Sequence, residues 1–453
     1  MRSMNFRRSI LFLVSVLALF VLFAAVSCGG NKEGANGGGG GATPAAGDTT
    51  GVTDTSIKIG SLLPLTGASA AVGVPMIDGM KAYVEWVNRQ GGIYGRQLVL
   101  DIGDSASNGP QAADTVRNLV EQDKVFLVFG TVGGGVEDAV AEYLTEHNVP
   151  DLFSLAALSK FAIPPAKNRF TSIVDYATEG KNFAQYIFEN YNGKKLGILA
   201  QNDDSGKEGE TATRERLQEL GADIEISTEY FDPSVTDVSA QTQRLKGDSV
   251  DVVLYWGGLA AAANMMRTAR ETLSWDVPFI LTSGCETEIT AALAGMNNVE
   301  GAVSAGISLQ SWQTDYPEMA QAIEDMASVA PNLQFNQISQ AGWQLVASVV
   351  MLLKQAGPNL TREDLIAAAE SACNKTPLYE ALLMVPSATS PTDHQFAEVE
   401  RLVKGTVDRT VDPPVFHWVP FGDLIGSEST TDCTPPTPPA DATNQPGPSL
   451  TAE

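Results

Sequence analysis

The chain has 453 residues, a formal net charge of −25 at pH 7, 43% hydrophobic residues and 18% charged ones. That length exceeds one ordinary core and predicts two domains, and the composition predicts a mostly globular chain. The acidic balance excludes a nucleic-acid binder, which needs a basic face, and suits a soluble protein that avoids anionic phosphate and lipid surfaces.

Arg2, Arg7 and Arg8 precede an apolar run from Ile10 to Phe23. The run suits a signal-peptide core and is shorter than the roughly 20 residues of a spanning helix. It closes on Ala24-Ala25-Val26-Ser27-Cys28, which resembles a bacterial lipobox, with Ala25 standing where leucine is usual. The resemblance implies removal of residues 1–27 and a lipid on Cys28; the alternative is an ordinary signal peptide cut nearby. Residues 28–55 include Gly37–Gly41 and predict a flexible tether. At the other end, 423–453 is rich in Pro and Thr and predicts a disordered tail.

Between 56 and 422 strand and helix patterns alternate. Strands are predicted at Ile57–Leu62, Leu98–Ile102, Val125–Phe129 and Asp151–Phe153, and again at Leu196–Ala200, Ile224–Tyr230, Val252–Trp256 and Phe279–Thr282. Helical spacing recurs between them, as in Met76, Met80, Tyr83, Val84 and Val87. Repeated strand–helix units predict an α/β fold of two doubly wound parallel-sheet lobes. In such sheets ligands gather beyond the carboxyl ends of the strands. That rule points to Leu65-Thr66, Asp104-Ser105, Gly130–Gly135, Leu155–Ser159, Asn202–Ser205, Tyr255–Leu259 and Ser283–Glu286.

Ile57-Lys58-Ile59-Gly60 followed by Leu63-Pro64-Leu65-Thr66-Gly67 resembles the opening of the branched-chain amino-acid (Leu/Ile/Val) type of periplasmic solute-binding proteins. Asn88 to Arg96, Val149 to Phe153, Asn202 to Lys207 and Ser390 to His394 resemble further family segments in the right order. The resemblance covers 56 to 422. It implies a type 1 binding fold whose lobes are joined by a hinge, with lobe one at 56–172 plus 303–385 and lobe two at 173–302 plus 386–422. It also implies a small-molecule ligand and an ABC importer's permease as partner; the signal-like N-terminus predicts export, and the lack of a catalytic motif predicts no enzyme activity. A lipoprotein that senses the ligand and presents its bound state to a receptor or kinase is the alternative.

Several positions depart from the family pattern. Gly133-Gly134-Gly135 and Ala156-Ala157-Leu158-Ser159 replace hydroxyl-bearing turns. Ser205 and Leu259 stand where the family places aromatics, and Val72 stands at a tryptophan site. The ligand expected is therefore a small carboxylate: an amino acid, or an apolar or aromatic acid. Gly133–Gly135, between a strand and a helix N-terminus, offer N–H groups to an anion, or else form a plain tight turn. Ala156 and Ala157 add backbone contacts, with Ser159, Ser205 and Leu259 nearby. Glu286 falls near the family's acid that pairs with the ligand's ammonium, or else stands at the surface.

Other chemistry finds no support. Gly206-Lys207-Glu208 lacks the Ser/Thr of a phosphate loop, and no Gly-x-Ser-x-Gly elbow occurs. His147, His394 and His417 are scattered, so no metal site or other cofactor is expected. Of the four cysteines, Cys373 and Cys433 are expected to pair and Cys285 to stay free, unless Cys433 is itself an unpaired thiol.

Overall fold

Strand β1 (Ser56–Leu63) is buried along most of its length, as a strand flanked by helices on both faces must be. The computed structural model describes residues 47–67, 69–374 and 382–426. After β1 come α1 (Ala70–Arg89), β2 (Gln97–Asp104), α2 (Gly109–Arg117), β3 (Leu127–Phe129), α3 (Gly134–Glu146), β4 (Asp151–Ser154) and β5 (Arg169–Thr171). These five strands form one parallel sheet in the order β2-β1-β3-β4-β5. Alternation along the strands sorts side chains to two faces: Leu62 and Val128 meet Val116 and Val140, while Ile59 and Phe129 join the other cluster with Met80 and Val346.

The pattern then repeats with α4 (Tyr176–Tyr191), β6 (Lys195–Gln201), α5 (Asp204–Glu219), β7 (Glu225–Phe231), α6 (Ser239–Gly247), β8 (Val252–Trp256), α7 (Leu259–Arg267), β9 (Phe279–Leu281), α8 (Glu288–Ala294), α9 (Met296–Val299) and β10 (Val303–Gly306). Helices α10 (Pro317–Val329), α11 (Gln337–Ala356) and α12 (Arg362–Ala369) follow, with α10 and α11 packed on α1 of the first lobe. A short pair, β11 (Cys373–Asn374) and β12 (Ser387–Ala388), precedes the long hairpin of β13 (Val399–Asp408) and β14 (Val415–Gly426). The second sheet runs β14-β13-β10-β9-β8-β6-β7. Its parallel part, β7-β6-β8-β9-β10, repeats the strand order of the first sheet, the doubly wound arrangement with its switch point beside the first strand.

Three segments carry the chain between the lobes: the residues after β5, those after β10, and those between β12 and β13. They are stitched in pairs, with the Phe396 N–H bonded to Thr171 O at 2.9 Å and the Met384 N–H to Ile307 O at 2.8 Å.

The boundaries differ from expectation in three places. Residues 47–55 are packed, although the tether was expected to run to 55: Arg362 bonds Asp48 Oδ2 at 2.9 Å, and Val52 bridges to Ile57. The second sheet keeps the chain through Gly306, where the change of lobe was expected at 302/303. Strand β14 runs to Gly426, past the expected start of the tail at 423, because Phe416 and Trp418 alternate inward and hold the hairpin to the core.

Cys373 is disulfide-bonded and Cys285 is a free, buried thiol. Cys28 and Cys433 lie outside the described residues, and so does the partner of Cys373.

Candidate functional site

A cavity of about 290 Å³ lies where the carboxyl ends of the two sheets face each other. The crossing segments supply Ser172, Ile173, Val174, Ile307, Ser308, Leu383 and Phe396. Lobe one adds Val72 and Met76 from α1, Val132 and Leu155 from strand ends, and the first turns of α11. Lobe two adds Tyr176, Leu259, Ser283, Gly284, Glu286 and Glu400. The lining is mainly apolar with a few polar groups, the usual make-up of a small-molecule site.

Helix caps place these elements. Asn336 accepts the N–H groups of Ile338 and Ser339, and Ser339 returns a bond to the Asn336 N–H, so α11 begins at the cavity wall. Asp175 caps α4 by accepting the Thr178 N–H at 2.8 Å, which sets Tyr176 into the lining.

Glu286 and Glu400 are the charged side chains of the lining. Glu286 keeps part of its surface toward the cavity but lies deep enough to be desolvated. Burial pushes its carboxyl up to about 7, against the backbone N–H bonds, including that of Gly284, that favour the ionised form. Gly306 makes room for it: a Cβ there would stand 3.2 Å from Glu286 Oε1. Burial pushes Glu400 to about 8, while the Asn182 amide at 2.9 Å pulls the other way. Glu179, behind them, is raised well above the usual range by burial and by the Glu400 charge.

The structure brings together only part of the expected site. Glu286 and Leu259 line the cavity, as does Val72. Gly133–Gly135 form the turn into α3, with Gly133 at φ +99°, and are not among the lining residues. Ala156 and Ala157 are buried, Ala156 against Leu158 and Phe161. The Ser159 N–H donates to Glu208 Oε1 at 3.0 Å, across the mouth to α5. Ser205 is near too: a Cβ on Gly134 would lie 3.6 Å from its Oγ. The Ser159–Glu208 bond and the approach of Gly134 to Ser205 bring the two lobes together here. The crossing segments, the α11 face with Gln337 and Gln344, and Glu400 were missed. An isolated acid in a strand, as in Val399-Glu400-Arg401-Leu402, is the one local signal that could have marked Glu400.

Two doubly wound lobes, three crossings and a cavity between the strand ends define a two-lobed solute-binding protein. The periplasmic binding protein family model matches residues 56–408, and the chain belongs to that family, in its type 1, branched-chain amino-acid class. It is thus an exported binding protein and not an enzyme. It is 27% identical over 322 residues to a Leu/Ile/Val-binding protein homolog 1 of Brucella suis biovar 1 (strain 1330), covering 71% of this chain and 84% of the relative. The fold is shared with a fatty acid ABC transporter substrate-binding protein from Thermomonospora curvata, at TM-score 0.72 and 22% identity, covering 85% of this chain and 96% of that one. It is also shared with a branched chain amino acid ABC transporter protein from Thermus thermophilus with bound valine, at TM-score 0.69 and 16% identity, covering 83% and 98%.

Proposed function

We propose that this protein is the ligand receptor of an ABC importer, held at the membrane by lipid on Cys28, and that its cargo is a small molecule with an apolar body and an amino group, amino acids among them. One observation carries the ligand reading: Glu286 faces an otherwise largely apolar cavity built by both lobes. A buried carboxylate needs a cation, and a ligand ammonium provides one. Val72 and Leu259 give the apolar body an aliphatic wall. The names of the relatives, for Leu/Ile/Val and for fatty acids, bracket the choice. A simple carboxylate is the weaker reading, since it meets two acids and no Lys or Arg in the lining.

Titration calorimetry on the purified full-length protein tests the ligand reading. Glu286→Gln removes a charge-assisted bond worth about 1.5–3 kcal/mol and lowers affinity for ammonium ligands accordingly. Equal affinity in the variant and the wild type removes Glu286 from the site. The anchor is tested by fractionation. Cys28→Ala is expected to move the protein from the membrane fraction to the soluble one; unchanged membrane association ends that reading.

A further inference from the structure

Glu286 is one of three acids on the same wall. Glu400 on β13 lines the cavity with it, and Glu179 on α4 lies behind both. Glu179 and Glu400 are 0% and 1% exposed. The hydrogen bonds they accept come from neutral donors: the Ser283 N–H and Thr282 Oγ1 for Glu179, Asn182 Nδ2 for Glu400. No Lys, Arg or His stands among the described lining residues.

The contrast within the same fold is informative. In lobe one the buried acids Glu137 and Asp151 share Arg169, whose Nε lies 3.0 and 3.1 Å from their oxygens. There the protein supplies its own cation. At the cavity wall it does not, and unpaired buried anions are costly, so without ligand these carboxyls are neutralised by holding their protons. A bound cation can take the place of those protons.

The lining also offers an anion little. The Val132 and Leu155 N–H groups bond Leu62 and Thr131 oxygens. Those of Ser283 and Gly284 bond Glu179 and Glu286, and that of Gln337 bonds Glu288 at 3.4 Å. The N-terminus of α11 is capped by Asn336, and the glycine turn at 133–135 lies outside the lining. Neutral donors such as Tyr176, Ser283, Gln337 and Ser348 also line the cavity, but an α-carboxylate there would face two acids with no cation among the described lining residues to offset them.

We propose that the ligand is a net organic cation, an apolar-bodied amine or diamine rather than a zwitterionic amino acid, with one ammonium on Glu286 and further positive charge on Glu400. This rests on the reading of the cavity and Glu286 given above. Calorimetry on the full-length wild type compares leucine with isoamylamine, which is leucine without its carboxylate, with 4-methylpentanoate, which lacks the ammonium, and with cadaverine. Isoamylamine is expected to bind at least about tenfold more tightly than leucine, the scale of one charge-assisted bond. Cadaverine is expected to match or exceed isoamylamine. Glu400→Gln retains an oxygen for Asn182 and is expected to weaken cadaverine more than isoamylamine. Leucine binding as tightly as isoamylamine overturns the inference and leaves the Glu286 reading intact. Tightest binding by 4-methylpentanoate overturns both. The ligand series uses the wild type, so its outcome does not depend on how the variant folds.

Discussion

A carboxyl facing an apolar cavity loses water without gaining a counter-charge, and its proton is held more tightly in the folded chain. Glu286 moves from an ordinary 4.5 to about 7 and Glu400 to about 8, burial being the first cause in each. Between pH 4.5 and those values the folded protein holds protons that the unfolded chain has released. Stability therefore falls as pH rises through that window and levels off above it. Glu179 acts in the same direction, and Asp175, Glu288 and the buried Cys285 thiol face the same group of acids. The ligand-free protein is expected to melt several degrees higher near pH 5 than near pH 8, an effect on the order of a few kcal/mol. General repulsion among surface acids would give a similar slope, so the variants decide. Glu286→Gln and Glu400→Gln should each flatten the melting-temperature profile, and unchanged profiles in both would assign the slope to the surface. Saturation with an ammonium ligand should flatten it as well, because the bound cation favours the ionised carboxyl.

At the scale of elements, eight strands of the two parallel sheets were legible, the buried ones as continuous apolar runs: Val252 to Trp256 reads as a strand and is fully buried as one, whereas the short β5 and β10 were not expected. The strand-end rule found Leu259 and the segment Ser283–Glu286, since those positions follow directly from where a parallel strand stops. It did not find Glu400. Strand β13 is antiparallel and enters the second sheet from its edge, a placement fixed by long-range pairing with β10 and β14 rather than by local pattern. Nor did it find α11, whose Gln337 and Gln344 reach the cavity only because the helix packs back on α1. The glycine turn at 133–135 was expected to offer N–H groups to an anion or to form a plain turn, and it stands outside the lining. Cysteine placement extends the same argument. Cys373 opens the short strand β11 and is disulfide-bonded. We propose Cys433 as its partner, a link that would pin the tail near β11. Non-reducing peptide mapping is expected to join the Cys373 and Cys433 peptides, and Cys373→Ser to lower stability by about 2–4 kcal/mol. A Cys28 peptide in place of Cys433 would contradict both this pairing and the lipid anchor.

For the whole molecule, the polar contacts across the mouth bear on how a ligand reaches a cavity enclosed between lobes. Glu208 on α5 holds the Ser159 N–H, and Lys160, paired with Asp138 of its own lobe at 2.8 Å, reaches across to Asp204 at 3.4 Å; the contacts between lobes are the ones that count here. On another side of the cleft, Glu288 on α8 takes bonds from Ser311 Oγ and from the Gln337 N–H of α11. These contacts exist only when the lobes are together, so they weigh the open–closed equilibrium without touching the ligand. A ligand shifts that equilibrium only by the difference in its affinity for the two forms. Exposed pairs such as Lys160–Asp204 contribute little, about 0–1 kcal/mol, and the charged acceptor on a backbone N–H contributes more. The double variant Lys160→Ala, Glu208→Ala is thus expected to lose roughly three- to thirtyfold in apparent affinity while its cavity contacts stay the same. Small-angle scattering should show a larger ligand-free radius of gyration in the variant than in the wild type, and the two should converge at saturation. Superimposable ligand-free and saturated profiles in both proteins would mean that the lobes do not move, and that ligand enters by a route other than opening of the cleft.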